Sequence, residues 1–285
     1  MCRQAAEPLS SIWRTEPCLD LRLWMTMKHD KRPLFAANWK MNNGPQSTRE
    51  FLVEFTRSYE HAADRRVIFF PPSISLEAFS LAASHRPDLE LGVQDVHAES
   101  AGAHTGAISA TMALEAGASW SLVGHSERRN EFGDDDDMVV RKTLRALASK
   151  LAPMVCVGET LEERDAGRLS EILGRQVAAI LSVVEPGSHS LLTWAYEPIW
   201  AIGTGRTASP EDALDAHNMI RAAIAATADD QTARNTVIVY GGSVNPSNID
   251  TLMDVPGVDG VLVGGASLQP ADFAAICNSS AIGLR

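Results

Sequence analysis

Five polar side chains stand where a short apolar run has just ended: Asn38 and Lys40 in "NWKMN", His125 and Glu127 in "GHSERR", and Glu197 in "AYEPIW". A carboxylate such as Glu197 can take a proton from carbon, an imidazole such as His125 can polarise and protonate the adjacent oxygen, and the Lys40 ammonium can offset the charge of an enediolate and of a phosphate. Two glycine-bearing segments, "YGGS" at 240–243 and "VGGAS" at 263–267, also follow apolar runs. The amides of Ser243, Gly264 and Gly265 are the right groups to hold a phosphate. The chemistry these residues would perform together is proton transfer between adjacent carbons of a phosphorylated sugar. Taken singly, each has a plainer reading as a solvated lysine, a satisfied histidine or a turn glycine, so what matters is whether they share one rim.

Eight β-branched, near-continuous apolar runs supply that rim, at 34–39, 66–70, 89–94, 120–124, 153–158, 191–197, 237–242 and 260–264. Between them lie segments of helical spacing at 47–59, 75–84, 109–116, 135–151, 162–184, 210–226, 246–253 and 270–277. Strands that are apolar throughout, rather than alternating, belong to a parallel sheet covered by helices. Eight strand–helix repeats predict an α/β chain closed into a single-domain (β/α)8 barrel over residues 31–285, in which chemistry sits at the C-terminal ends of the strands. The acidic run "DDDD" at 134–137 opens a helix, where the macrodipole favours negative charge. A metal site is its less favoured reading.

The chain has 285 residues, 45% of them hydrophobic and 21% charged, with no apolar run long enough for a membrane span. Its formal charge of −11 argues against nucleic acid or an anionic membrane as partner. Cys2, Cys18, Cys156 and Cys277 show neither metal-ligand nor disulfide-framework spacing, which fits a reducing, cytoplasmic setting. Residues 1–30 mix charges with Trp13 and Trp24 in no sustained period. They are read as an N-terminal extension, or as the product of a start assigned too early at Met1 rather than near Met25 or Met27.

The stretch "WAYEPIWAIGTGRTASPED" carries Gly203 and Gly205 in a pattern that fits a dinucleotide fingerprint. Bulky Pro198–Ile202 separates those glycines from the strand end, whereas a dinucleotide fingerprint needs them in the tight turn itself. A loop that closes over a substrate is the better reading.

From about residue 33 to 277 the chain resembles the triosephosphate isomerases. The resemblance rests on "NWKMN" (38–42), "GHSERR" (124–129), "VCVGET" (155–160), "AYEPIWAIGTGRTASPE" (195–211), "YGGSVNP" (240–246) and "DGVLVGGASL" (259–268), in the family's order and at its spacing. It implies the TIM barrel and the interconversion of dihydroxyacetone phosphate and D-glyceraldehyde 3-phosphate through an enediolate. Glu197 would be the base, His125 a neutral electrophile and Lys40 the electrostatic stabiliser, with Asn38 and Glu127 in support. This family is itself a standard example of that pairing and of a closing loop, so those roles come by resemblance. The resemblance also places Gly203, Ser243, Gly264 and Gly265 on the phosphate, Leu262 near the substrate, and 198–208 as the lid. Tyr196, Tyr240, Glu159 and Trp200 would be either lid latches or ordinary rim packing, and Cys156 an inert buried thiol.

No cofactor or metal is implied, since the proton moves without redox change. The segment 93–109, with Gln94, Thr105 and Gly106, resembles the family's dimer-forming loop, so a homodimer is expected. Two residues depart from the family pattern there: Asp95 for asparagine, and Ala107 for a glutamate that would meet Arg128 across the interface. A tetrulose-phosphate isomerase with the same machinery, and an inactive phosphosugar-binding barrel, are the competing readings. The intact Lys40, His125 and Glu197 weigh against the second.

Overall fold

The computed structural model describes residues 31–201 and 208–280. The extension 1–30 and, within the lid, Gly203 and Arg206 lie outside the described residues. Eight parallel strands, β1 (Leu34–Asn38), β2 (Arg66–Phe70), β3 (Leu89–Val93), β4 (Trp120–Val123), β5 (Ala152–Val157), β6 (Thr193–Tyr196), β7 (Val237–Tyr240) and β8 (Gly260–Val263), close in sequence order into a barrel. β8 returns to β1 with Ala36 opposite Leu262. Each lies within the run predicted for it, save that β5 begins one residue earlier, at Ala152.

Strand residues are buried on both faces because two separate cores need them. Ala36, Ile68, Phe70, Leu122, Met154 and Leu262 fill the barrel interior. Their neighbours Phe35, Ala37, Val67 and Phe69 point outward against the helices. The helices are α1 (Pro45–Ser58), α2 (Leu76–Ala82), α3 (Ala110–Glu115), α4 (Ser126–Phe132), α5 (Asp136–Ala148), α6 (Leu161–Asp165), α7 (Leu169–Leu181), α8 (Pro210–Thr227), α9 (Asp230–Asn235), α10 (Ile249–Met253) and α11 (Pro270–Cys277). Where α1, α2 and α11 meet the sheet, Trp39, Phe51, Phe55, Phe69, Phe79 and Phe273 pack with ring centroids 4.7–6.3 Å apart. Aromatic contacts of this geometry add to the gain from burial.

The helical segment expected at 162–184 is two helices, because Gly167 adopts φ 69° and stops α6. Only a residue without Cβ reaches that conformation at little cost. α9 was not anticipated; Asp229 caps it by accepting from the Thr232 amide, a signal hidden in a polar stretch. In the acidic run, Asp135 caps α5 through the Met138 amide at 2.8 Å, while Asp136 sits in its first turn and pairs with Arg129. No helix among the described residues is long and apolar enough to cross a membrane.

Candidate active site

At the C-terminal ends of the strands opens a cavity of about 720 Å³. Asn38, Lys40, His125, Glu127, Glu197, Ser243, Leu262, Gly264 and Gly265 all line it. Gly203 lies outside the described residues, so every other residue proposed for the site is in one wall or another.

His125 ends the β4 run and caps α4. Its Nδ1 accepts from the Glu127 amide at 3.2 Å, so the ring proton belongs on Nε2. Held this way by a helix-start amide, the ring presents Nε2 to the cavity. That nitrogen stands 3.0 Å from Glu197 Oε1. The other Glu197 oxygen accepts from the Ser126 amide at 2.8 Å. Glu197 is almost wholly buried, and its backbone is fixed by the amide's bond to Val157 O at 2.8 Å. Ser126 was not singled out from the sequence, because its contribution is a backbone amide that any residue there would offer.

Lys40 is held in an unusual shape, with φ 51°. A left-handed lysine costs roughly 1–2 kcal/mol, and two neighbours fix it. The Asn38 Oδ1 accepts from the Lys40 amide at 3.0 Å, and Gln94 Nε2 donates to the Lys40 carbonyl at 2.8 Å and to Phe70 O at 2.9 Å. Its ammonium meets Glu127 Oε1 at 2.6 Å. Gln94, expected in a subunit-facing loop, thus grips the lysine turn of its own chain. Spacing gave no sign of this, because the contact joins the ends of β1 and β3.

Gly264 and Gly265 follow β8. The Gly264 carbonyl accepts from the Ser267 amide at 2.9 Å and hydroxyl at 2.6 Å, opening a 3₁₀ turn at Gly265–Leu268. Trp39 Nε1 donates to Ser267 O at 3.1 Å and ties this turn to the lysine segment.

Behind the site, Glu159 is fully buried and accepts at Oε1 from Tyr196 Oη at 3.0 Å, Trp200 Nε1 at 2.8 Å and Arg164 Nη1 at 3.2 Å. Burial raises its carboxyl from the ordinary range, and those bonds lower it only partly. Tyr240 Oη is buried with no hydrogen-bond partner among the described residues, and burial pushes the phenol up to about 12. Burial, with the Glu197 charge beside it, pushes the Cys156 thiol up, which suits an inert small side chain.

The departure at Asp95 has a visible consequence. Its carboxylate meets Lys142 Nζ at 2.7 Å and Arg128 Nη2 at 3.4 Å, while Asp134 also holds Lys142, at 2.6 Å. Burial raises the Asp95 carboxyl even so, against the pull of Lys142. A carboxyl raised in the folded state binds its proton more tightly there, so its contribution to stability falls as pH rises through its folded value. Asp95→Asn should therefore gain on the wild type as pH climbs from about 4 to 7. Urea midpoints of both proteins across that window check it, and a difference independent of pH would be the contrary result.

The model for the triosephosphate isomerase family matches residues 33–280. Curated proteins similar to the chain include the triosephosphate isomerase of Herminiimonas arsenicoxydans, 42% identical over 250 residues that cover 88% of this chain and 100% of the relative. That of Moorella thermoacetica is 44% identical over 248 residues, covering 87% and 98%, and that of Herpetosiphon aurantiacus is 44% identical over 248, covering 85% and 97%.

Proposed function

The chain belongs to the triosephosphate isomerase family, and on that premise we propose that it interconverts dihydroxyacetone phosphate and D-glyceraldehyde 3-phosphate by proton transfer through an enediolate. The observation that supports this best is the 3.0 Å pair of Glu197 Oε1 and His125 Nε2 in a cavity that Lys40 also lines. At that separation no substrate atom fits between them, so binding has to exchange the contact. The His125 Nε2–H turns to a substrate oxygen, and Glu197 leaves the Ser126 amide to reach the two adjacent carbons that carry the reacting oxygens. The carboxylate removes the proton from one carbon, His125 gives its Nε2 proton to the developing oxyanion and takes one back from the neighbouring hydroxyl while Lys40 offsets the charge, and Glu197 returns its proton to the neighbouring carbon.

Glu127 keeps the Lys40 ammonium placed, and Asn38 keeps the turn that carries it. The amides of Ser243, Gly264 and Gly265 bind the phosphate, joined by Gly203 when 198–208 closes as a lid; Leu262 packs beneath the substrate. The turn at Ile199–Ala201 anchors one lid hinge through Trp200 on Glu159. Closure matters because water-exposed enediol phosphate eliminates its phosphate. No metal or cofactor takes part.

The protein acts in the cytoplasm, as a homodimer through the loop bearing Gln94, Thr105 and Gly106. In support, that loop's Thr105 and Gly106 are exposed, and Met41, beside Lys40, is 95% exposed. Sedimentation at micromolar concentration should give twice the chain mass, and a monomer there would count against the dimer. The function itself is tested by a coupled assay on dihydroxyacetone phosphate beside a four-carbon ketose phosphate. Turnover of the first and little of the second is expected; the reverse would move the assignment to the tetrulose phosphates.

A further inference from the structure

A second cavity of about 710 Å³, as large as the first, opens among residues that precede β2, β3, β4 and β5, at the N-terminal end of the barrel. It is lined by five permanent cations, Arg32, Arg65, Arg66, Arg86 and Lys150, against two carboxylates, Asp88 and Glu90. Counting Asp64, which pairs with Arg65 from outside the lining, positive groups still outnumber negative ones in a chain of formal charge −11. Charges of one sign gathered on low-dielectric walls concentrate ions of the other.

The guanidinium groups are rigid before any ligand arrives. Arg66 is 5% exposed, and Glu90 accepts from its Nε and Nη2 at 2.8 Å each, with Trp120 Nε1 on the same carboxylate at 2.8 Å. Its planar group also lies 4.9 Å from the Trp120 ring centre. Its Nη1 is left without a hydrogen bond among the described residues. Arg86 is fixed on Asp88 and on Tyr59 O, and against the opposing effect of burial its hydrogen bonds and charge hold the Asp88 carboxyl below the ordinary range. On the rim, Lys150 makes no ion pair among the described residues, and the exposed His61 adds a further titratable donor. The remaining wall sets the apolar side chains of Pro87, Leu89, Leu91 and Leu114 beside the hydroxyls of Ser80, Ser84 and Ser119.

We infer that this cavity is a binding site for a nucleoside phosphate. Phosphate oxygens meet Lys150 and the uncommitted edge of Arg66, for which planar guanidinium donors are the best match in geometry. The base lies on the leucine and proline wall. A bare sugar phosphate leaves the leucine and proline side chains uncovered, and a purely apolar ligand would desolvate Lys150 with no anion to meet it. The volume falls within the usual range for small-molecule pockets. At this end of such a barrel residues ordinarily serve stability, so the ligand acts by stabilising the fold and takes no part in the reaction at the opposite rim.

The test is isothermal titration and thermal melting of the full chain with ADP and with pyrophosphate as probes. Wild type should bind ADP with a dissociation constant between about 10 μM and 1 mM, more tightly than pyrophosphate, and its melting temperature should rise with ADP. Lys150→Glu reverses a half-buried rim charge and should weaken ADP binding about tenfold or more while leaving kcat/KM within about twofold. Arg32→Glu, at another rim position, is the second variant in case the first folds poorly. ADP that competes with substrate and binds both variants as tightly as wild type would be sitting in the catalytic cavity, and the inference would fail. It fails equally if neither probe binds, or if pyrophosphate binds as well as ADP.

Discussion

Glu197→Asp is expected to lower kcat on dihydroxyacetone phosphate by about two to four orders of magnitude, the span usual for a positioned general base, with little change in KM. The direction follows from how the carboxylate is held. The chain at Glu197 is pinned by its amide to Val157 O at 2.8 Å and by the packing that buries the residue. Removing one methylene therefore withdraws the oxygens from the cavity, and the backbone cannot advance to compensate. The 3.0 Å contact with His125 Nε2 and the 2.8 Å bond from the Ser126 amide are both lost or lengthened. A misplacement of an ångström is costly when the group works chiefly in the transition state. The amides proposed to hold the phosphate, at Ser243, Gly264 and Gly265, line other parts of the cavity, so ground-state binding should survive. Steady-state kinetics of both proteins give the answer. A fall confined to KM would mean that Glu197 binds substrate without moving the proton, and unchanged kinetics would remove it from the base role altogether.

The barrel could be read from the sequence because its strands are buried on both faces. Runs such as "RVIFF" and "VIVYGG" carry no alternation, and only a covered parallel sheet asks for that. Rim residues followed from the strand ends by the same logic, and the cavity contains every described residue proposed for it. What stayed hidden depends on contacts between segments far apart in the chain. Gln94 reads as a loop polar residue until β1 and β3 stand side by side and it reaches the Lys40 carbonyl. Ser126 offers only its amide, which has no side-chain signature. The arginines of the second cavity are scattered from 32 to 86 and meet Lys150 only when the barrel closes. Helix breaks were also illegible where one glycine decided them: Gly167 sits in a stretch otherwise periodic enough to pass for a single helix.

Gly158→Ala should lose most of the activity while keeping the fold, because this glycine sets where Glu197 stands. A Cβ on residue 158 would lie 1.8 Å from the Glu197 carbonyl oxygen and 2.8 Å from its carbonyl carbon. Both are backbone atoms, so no rotamer change relieves the overlap. Residue 158 cannot retreat either: Gln176 accepts from its amide at 2.9 Å and donates to its carbonyl at 3.1 Å, clamping it from the helix layer. On the other side, the Gly241 amide binds Tyr196 O at 2.7 Å and holds the strand that leads into Glu197. Strain therefore has to be taken up at the β5–β6 junction, and its first product is a shifted Glu197 and a broken contact with His125. Overpacking of this kind costs about 1–3 kcal/mol of stability, which a barrel with two full cores can absorb. A fall of kcat/KM by about a hundredfold or more is expected for a displaced catalytic group. The circular dichroism spectrum should be retained and the melting point moderately lower. If the alanine protein were as active as wild type, the close approach of residue 158 to Glu197 would be no constraint, and the base would owe its position to the Val157 and Ser126 bonds alone. Gly241→Ala provides the graded comparison, since its Cβ would meet Glu197 Cγ and Tyr196 O at 3.1 Å each. Those contacts ask for a shift of only a few tenths of an ångström, so its loss of activity should be smaller than that of Gly158→Ala. That order of severity would tie the effect to the backbone of Glu197, where a general loss of stability would rank the two variants by melting point.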